Sequence, residues 1–330
     1  MTAGCWFPTE KSASTIPSAS ATSHPTIAIA PCSPPASVSG FAPTDESSPG
    51  LYNRTRRREL AGRYTANLMA VGTKSVWSSP AEPAQLRPFR FRGGTRGILL
   101  IHGFAGTPPE MRGMGQFLAA RGYDVMGPLL AGHGLTPEAM ATTRWPDWVR
   151  SAEDALAELA RDCPDVFVGG QSLGGTLALH LAATHPEVRG IFTMGAMSSP
   201  VYFRDWRIRV IRGLKYVARW HVPGDDVDLG DPSAVRLLHS YARRPSVCIE
   251  SLMRLLRVVD HELPRITAPA LITHGRRDRT VDVANAPHIM DTIASTDKQL
   301  VWFERSGHAI TVDLEHDALF TTVLDWLSTR

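Results

Sequence analysis

The sequence predicts an α/β fold: a mostly parallel central sheet with helices on both faces, and a helical insertion capping one edge. Three observations carry this. Apolar runs of strand length recur without polar alternation, which is how strands buried on both faces read. Stretches with helical spacing fall between these runs, the βαβ rhythm of a parallel sheet. The rhythm then fails between Ser198 and Pro264, where the chain turns Arg-rich and shows no convincing buried strand.

The elements follow in order. The first 50 residues hold 32 Ser, Thr, Ala or Pro, and eight of the chain's 25 prolines. Such a segment cannot bury enough apolar surface to offset its ordering entropy. Residues 1–85 are therefore expected to be a disordered extension, with Arg54–Leu60 (RTRRREL) a solvated basic linker. The Ser-rich tail also admits a transit-peptide reading, which Glu10, Asp45 and Glu46 weaken. Met69 is the next methionine after Met1, so translation from Met69 is a second expectation. N-terminal sequencing that found residue 1 would refute it.

From Pro88 the pattern changes. Gly97–Ile101 (GILLI) predicts a strand. Thr107–Gly122 follows as a helix with a Thr cap, early prolines and apolar spacing at Met111, Met114, Phe117 and Leu118. Tyr123–Pro128 reads as a strand, Trp145–Cys163 as a helix and Asp165–Gly170 as a strand. Ser172–His185 reads as a helix and Arg189–Gly195 as a strand. After the insertion, Ala268–Gly275 and Lys298–Glu304 are expected strands, each followed by a helix, Val283–Ser295 and Asp317–Ser328. The core is thus expected over 86–198 and 264–330, with the cap over 199–263. Within the cap, Arg207–Trp220 and Glu250–Leu263 carry helical apolar stripes.

The functional signal lies in Val166–Leu181, VFVGGQSLGGTLALHL. Gly170-Gln171-Ser172-Leu173-Gly174 fits G-x-S-x-G, with a strand before it and a helix after it, the context this nucleophile motif requires. A sharp strand-to-helix turn exposes the serine hydroxyl, and the flanking glycines let neighbouring backbone pass close. A hydroxyl is a weak nucleophile, so it needs a base oriented by an acid. In this strand–turn–helix setting the chain order is Ser, acid, His. Asp278 and His308 each follow an expected strand, where α/β sites form. Asp282 is a second acid nearby that suits capping the next helix. His274 and His288 precede or flank Asp278 and are set aside as the base. An oxyanion needs backbone N–H donors; Leu173 supplies one, and Phe104, in the loop after GILLI, is the best candidate for the other.

These segments together resemble the α/β-hydrolase superfamily, particularly small bacterial carboxylesterases and monoacylglycerol lipases. The likeness rests on LLIHGFAGTPPEMRGMGQFLAARGYDVMGPLLAGHG, GGQSLGG, HGRRDRTVD and SGHAIT, and spans roughly Pro88 to Leu327. It implies the α/β-hydrolase fold, serine esterase activity, a helical cap, and no metal or organic cofactor. Ser172 rather than Asp at the nucleophile position disfavours dehalogenases and epoxide hydrolases. HGF rather than HGGG after the first strand departs from the hormone-sensitive-lipase branch. His133, in AGHG, reads as structural.

The cap stripes read either as helices burying an apolar face on the core or as an apolar tunnel; on the second reading Phe104, Leu214 and Leu255 line the acyl site, and the expected substrate is a short-to-medium acyl ester or monoacylglycerol. A thioesterase or amidase using the same triad remains open, as does a non-catalytic binding protein. The cap's basic rim offers contact with lipid or micelle surfaces. Net charge is +3, with 35 basic and 32 acidic residues, so no global field favours nucleic acid. No zinc spacing or disulfide framework appears among Cys5, Cys32, Cys163 and Cys248, and no run of about 18 apolar residues suggests a membrane span. The chain therefore reads as cytoplasmic. Nothing in the sequence speaks to oligomeric state.

Overall fold

The computed structural model describes residues 86–202, 218–222 and 228–330. Residues 1–85 lie outside these, as do Leu214 and most of the helix expected over Arg207–Trp220. The chain enters through strand β1 (Phe89–Phe91) and β2 (Arg96–Ile101), then helix α1 (Pro109–Ala119) and β3 (Tyr123–Gly127). Helices α2 (Pro137–Ala141) and α3 (Trp145–Ala160) lead to β4 (Asp165–Gln171), α4 (Leu173–Thr184) and β5 (Val188–Met194). A short ribbon, β6 (Trp220–His221) with β7 (Arg244–Pro245), precedes α5 (Ser246–Glu262). The chain ends with β8 (Ala270–Gly275), α6 (Asn285–Thr292), β9 (Lys298–Phe303) and α7 (His316–Ser328).

Seven strands form one sheet in the order β1-β3-β2-β4-β5-β8-β9. β1 alone among them runs antiparallel, beside β3. Three residues are too few for a periodicity to show in the sequence, and β1 was not anticipated. Arg90 pins this edge by a two-pronged pair with Asp124 of β3, Nε to Oδ1 and Nη2 to Oδ2, both 2.9 Å.

The unbroken apolar runs have the meaning expected of them. Successive residues of a strand face opposite sides. Ile98 and Leu100 join the layer of Met111, Met114 and Val323 from α1 and α7, while Leu99 and Ile101 join that of Leu156, Leu159 and Leu177 from α3 and α4. Cys163 and Cys248 are buried free thiols.

Three local expectations need correction. Thr107 does not cap α1: its hydroxyl donates instead to the His239 carbonyl at 3.4 Å, and Pro108 holds the cap position. Trp220, expected to end a helix, sits in β6 and pairs with Pro245. Leu255 does not line a substrate pocket. It is fully buried with Leu256 and Val259 in the same core layer as Leu177 and Leu181 of α4. A helix advances about 5.4 Å per turn, and on α5 it is the earlier turn, Ile249 and Leu252, that reaches the cavity described next.

Candidate active site

Ser172 occupies the single residue between β4 and α4, at φ 54° and ψ −114°. This is left-handed backbone for a residue with a Cβ, a strain of about 1–3 kcal/mol that persists only where surroundings enforce it. The enforcement is visible. Ser172 N–H donates to the Met194 carbonyl at the end of β5 (2.9 Å), and its own carbonyl accepts from Thr176 N–H inside α4 (3.0 Å). Gly174 brings α4 so close to β2 that a Cβ there would collide with the Ile101 carbonyl. Ser172 and His308 line one cleft, together with Phe104, Glu110, Ile249 and Leu252.

Asp278 and His308 come from the loops after β8 and β9, which are neighbours in the sheet. His308 Nδ1 lies 2.8 Å from Asp278 Oδ2. An ionised carboxylate only accepts, so Nδ1 carries the proton and Nε2 is left as the basic nitrogen. Asp278 is held by three further donors: Thr280 N–H (2.9 Å) and Val281 N–H (2.8 Å) on Oδ1, and His274 Nε2 (2.9 Å) on Oδ2. Burial opposes its charge, yet His308 and His274 keep its carboxyl well below the usual range. On His308 burial also opposes charge, but Asp278, aided by Asp228 and Glu110, lifts the imidazole above its ordinary value. Asp282 accepts from Ala284 N–H at 3.0 Å, at the entrance to α6. His288 lies elsewhere, 2.7 Å from Asp260.

Several residues that shape the site were not anticipated. His274 shares Asp278 Oδ2 with His308. Asp228 ties the two loops together: its carboxylate accepts from the N–H groups of Arg279 (2.8 Å) and Thr280 (2.7 Å) and from the Thr280 hydroxyl (2.6 Å). Its carbonyl accepts His308 N–H at 3.0 Å. Gln171, beside the serine, donates to the His308 carbonyl at 2.7 Å. The sequence carries the Gln171 signal in its adjacency to Ser172. Nothing local marks Asp228, which lies fifty residues before the loop it clamps.

The loop after β2 turns tightly through Ala105 (φ 60°), closed by Gly106 N–H to the Gly103 carbonyl at 3.0 Å. Gly103 N–H donates to the Glu110 carboxyl, so Phe104 N–H is the next donor this loop offers. Leu173 opens α4, and the first N–H groups of a helix have no intrahelical acceptor. Beneath the loop, His102 Nε2 accepts from Leu130 N–H (3.1 Å) and Nδ1 donates to the Gly103 carbonyl (3.0 Å). Burial pushes His102 down to about 3 and its neighbour His133 to about 4, so both stay neutral. His133 packs against His102, Phe104 and Trp148. Glu110 is the exception among these groups. Burial raises its carboxyl to about 7, and Gly103 N–H only partly offsets this. Among the described residues no cluster of His, Cys, Asp and Glu has the grouping of a metal site, and no helix is long and apolar enough to cross a membrane.

Fold and site together define an α/β-hydrolase enzyme of the serine-hydrolase class. The family described as serine aminopeptidase, S33, matches residues 95–315, and the chain belongs to that family. A thermostable monoacylglycerol lipase of Bacillus sp. (strain H-257) is 34% identical over 242 residues, covering 73% of this chain and 94% of its own. A carboxylesterase of Bacillus subtilis (strain 168) is 29% identical over 243 residues, 73% of this chain and 96% of its own. A solved structure from LipS and LipT, two metagenome-derived lipolytic enzymes, superposes with a TM-score of 0.69 at 30% identity, over 74% of this chain and 98% of that one.

Proposed function

We propose that this enzyme hydrolyses carboxylic esters of short-to-medium acyl chains, monoacylglycerols among them, through an acyl-enzyme intermediate. The observation that carries the reading is that His308, paired with buried Asp278, opens onto the same cleft as Ser172 on its strained turn. The relatives named monoacylglycerol lipase and carboxylesterase support the ester class. In this mechanism His308 Nε2 takes the Ser172 proton as the oxygen attacks the ester carbonyl. The tetrahedral oxyanion is held by the N–H groups of Phe104 and Leu173. Asp278 fixes the imidazole tautomer and stabilises the imidazolium. The imidazolium returns its proton to the leaving alcohol. Water, deprotonated by the same nitrogen, then releases the acid and restores the serine.

The stretch 199–263 serves as the cap in this reading. Its support is that Leu229, Leu238 and Ile249 line the cleft beside Ser172. The cleft is open at its mouth and encloses about 140 Å³. The test is a p-nitrophenyl ester series from C2 to C16 with 1-monooleoylglycerol, on wild type and Ser172→Ala. Turnover of the shorter esters that falls at least 10³-fold in the variant is expected. A folded wild type inert on all of them sinks the ester reading. The family description keeps amide hydrolysis as the second reading. Amino-acid p-nitroanilides cleaved faster than the matching esters would select it.

A further inference from the structure

The cleft that holds Ser172 and His308 has a third kind of lining: His221, His239 and Arg244. Two of these come from the β6–β7 ribbon. His221 and Arg244 stand directly opposite each other across its two strands. Cross-strand partners project to the same side of a sheet, so the ribbon presents a basic face to the site.

Arg244 has the features of a group waiting for a counter-charge. Its Nε is wholly buried and bonds to nothing, and among the described residues no carboxylate pairs with it. Burial without compensation lowers the guanidinium to about 10, still protonated at neutral pH. The Nδ1 of His239 is likewise buried and unpartnered. The adjacent Arg243 shows the ordinary alternative: it pairs with Glu138 and lies over the Trp220 ring at 4.3 Å. Among the described residues the carboxylates lining the cleft are Glu110 and Asp228, and neither forms an ion pair with Arg244. Glu110 is engaged by Gly103 N–H, and Asp228 by Arg279 and Thr280. A guanidinium nitrogen stripped of water is costly unless paired, and a guanidinium fork is matched to carboxylate or phosphate oxygens.

We propose that Arg244, with His239 lining the same cleft, is an anion-recognition subsite, and that the preferred ester carries a carboxylate or phosphate remote from the scissile bond. This rests on the ester-hydrolase reading above and narrows its substrate class.

Two matched pairs of esters test it and separate the anions. Mono-p-nitrophenyl adipate is set against p-nitrophenyl hexanoate, and 1-butyrylglycerol 3-phosphate against 1-butyrylglycerol. Wild type is expected to favour the anionic member of one pair at least tenfold in kcat/KM, chiefly through KM. Arg244→Gln should bring that ratio close to one, and Arg244→Lys should restore part of it. An unchanged ratio in Arg244→Gln, or a wild-type preference for the neutral member of both pairs, overturns the proposal. Binding of adipate and inorganic phosphate to Ser172→Ala, measured by calorimetry, reads the subsite without turnover. Loss of that binding on adding Arg244→Gln supports the subsite even if no ester is cleaved. Absence of binding by either anion overturns the subsite even if neutral esters are cleaved.

Discussion

Two carboxyl groups are buried near Ser172, and their surroundings treat them in opposite ways. Asp278, after β8, has four donors on its two oxygens: two backbone N–H groups and two imidazoles. Glu110, on α1 beneath the loop after β2, has the Gly103 N–H. Both lose their water. The first is kept charged far into acid, while the second rises to about 7. Burial alone therefore does not set the charge at this site; the imidazoles beside Asp278, His308 first, hold its charge, and Glu110 has no such neighbour in contact. One side of the cleft is built to hold a fixed negative charge behind His308. The other holds a carboxyl near its balance point under the loop proposed to bind the oxyanion.

The sharpest break of this contrast is Asp278→Asn. It removes the charge behind His308 and lets the imidazole adopt the wrong tautomer, so kcat for p-nitrophenyl butyrate should fall about 10³–10⁴-fold. A second readout separates lost charge from lost fold. In wild type the base must be neutral, so kcat/KM should rise with pH along a limb whose midpoint lies above the ordinary imidazole value, because His308 is raised. Residual activity in Asp278→Asn should show that limb at lower pH. A limb that stays in place would mean Asp278 does not govern His308.

A smaller effect is expected at Asp228, which touches the pair only through backbone. Asp228→Ala removes the acceptor for two N–H groups and one hydroxyl of the loop that carries Asp278. The loop then loses register with His308, and misplacement on the ångström scale costs up to about 10²-fold. We expect kcat to fall between about 10- and 100-fold, with the ascending limb of the pH profile moved less than in Asp278→Asn. A change in KM with unaltered kcat would assign Asp228 to substrate contact instead of loop positioning.

What the sequence disclosed and what it hid follow the same division. Ser172, Asp278 and His308 each sit just past the end of a strand, and strands buried on both faces announce themselves as apolar runs. Of the residues that position them, Asp228 acts across a long separation, whereas His274 is close in sequence but unmarked by any local pattern. Asp228 reaches Thr280, and His274 becomes a partner of Asp278 only because the strand containing it continues to Gly275 and turns back. At Leu255 the core-burial reading of the α5 stripe holds, because the stripe is continuous in sequence whereas the helix passes from cleft to core within one turn. Nothing in the local sequence singles out Arg244. Its place opposite His221 exists only once the ribbon has formed.

The mildest test returns to Glu110. With a folded value of about 7 against an ordinary 4.5, the native state binds more protons than the unfolded chain between those two values. Stability should therefore fall as pH rises through that window and level off above it, by roughly 3 kcal/mol at most. Glu110→Gln keeps an oxygen to accept Gly103 N–H and removes the titration. Urea unfolding at pH 5 and pH 8 should show wild type weaker at the higher pH, and the variant losing much less. Because charged Glu110 helps raise His308, the variant's kcat/KM limb should also move slightly to lower pH. Equal pH dependence in both proteins would show that Glu110 ionises freely in the folded enzyme, and that the two sides of the cleft hold their carboxylates alike.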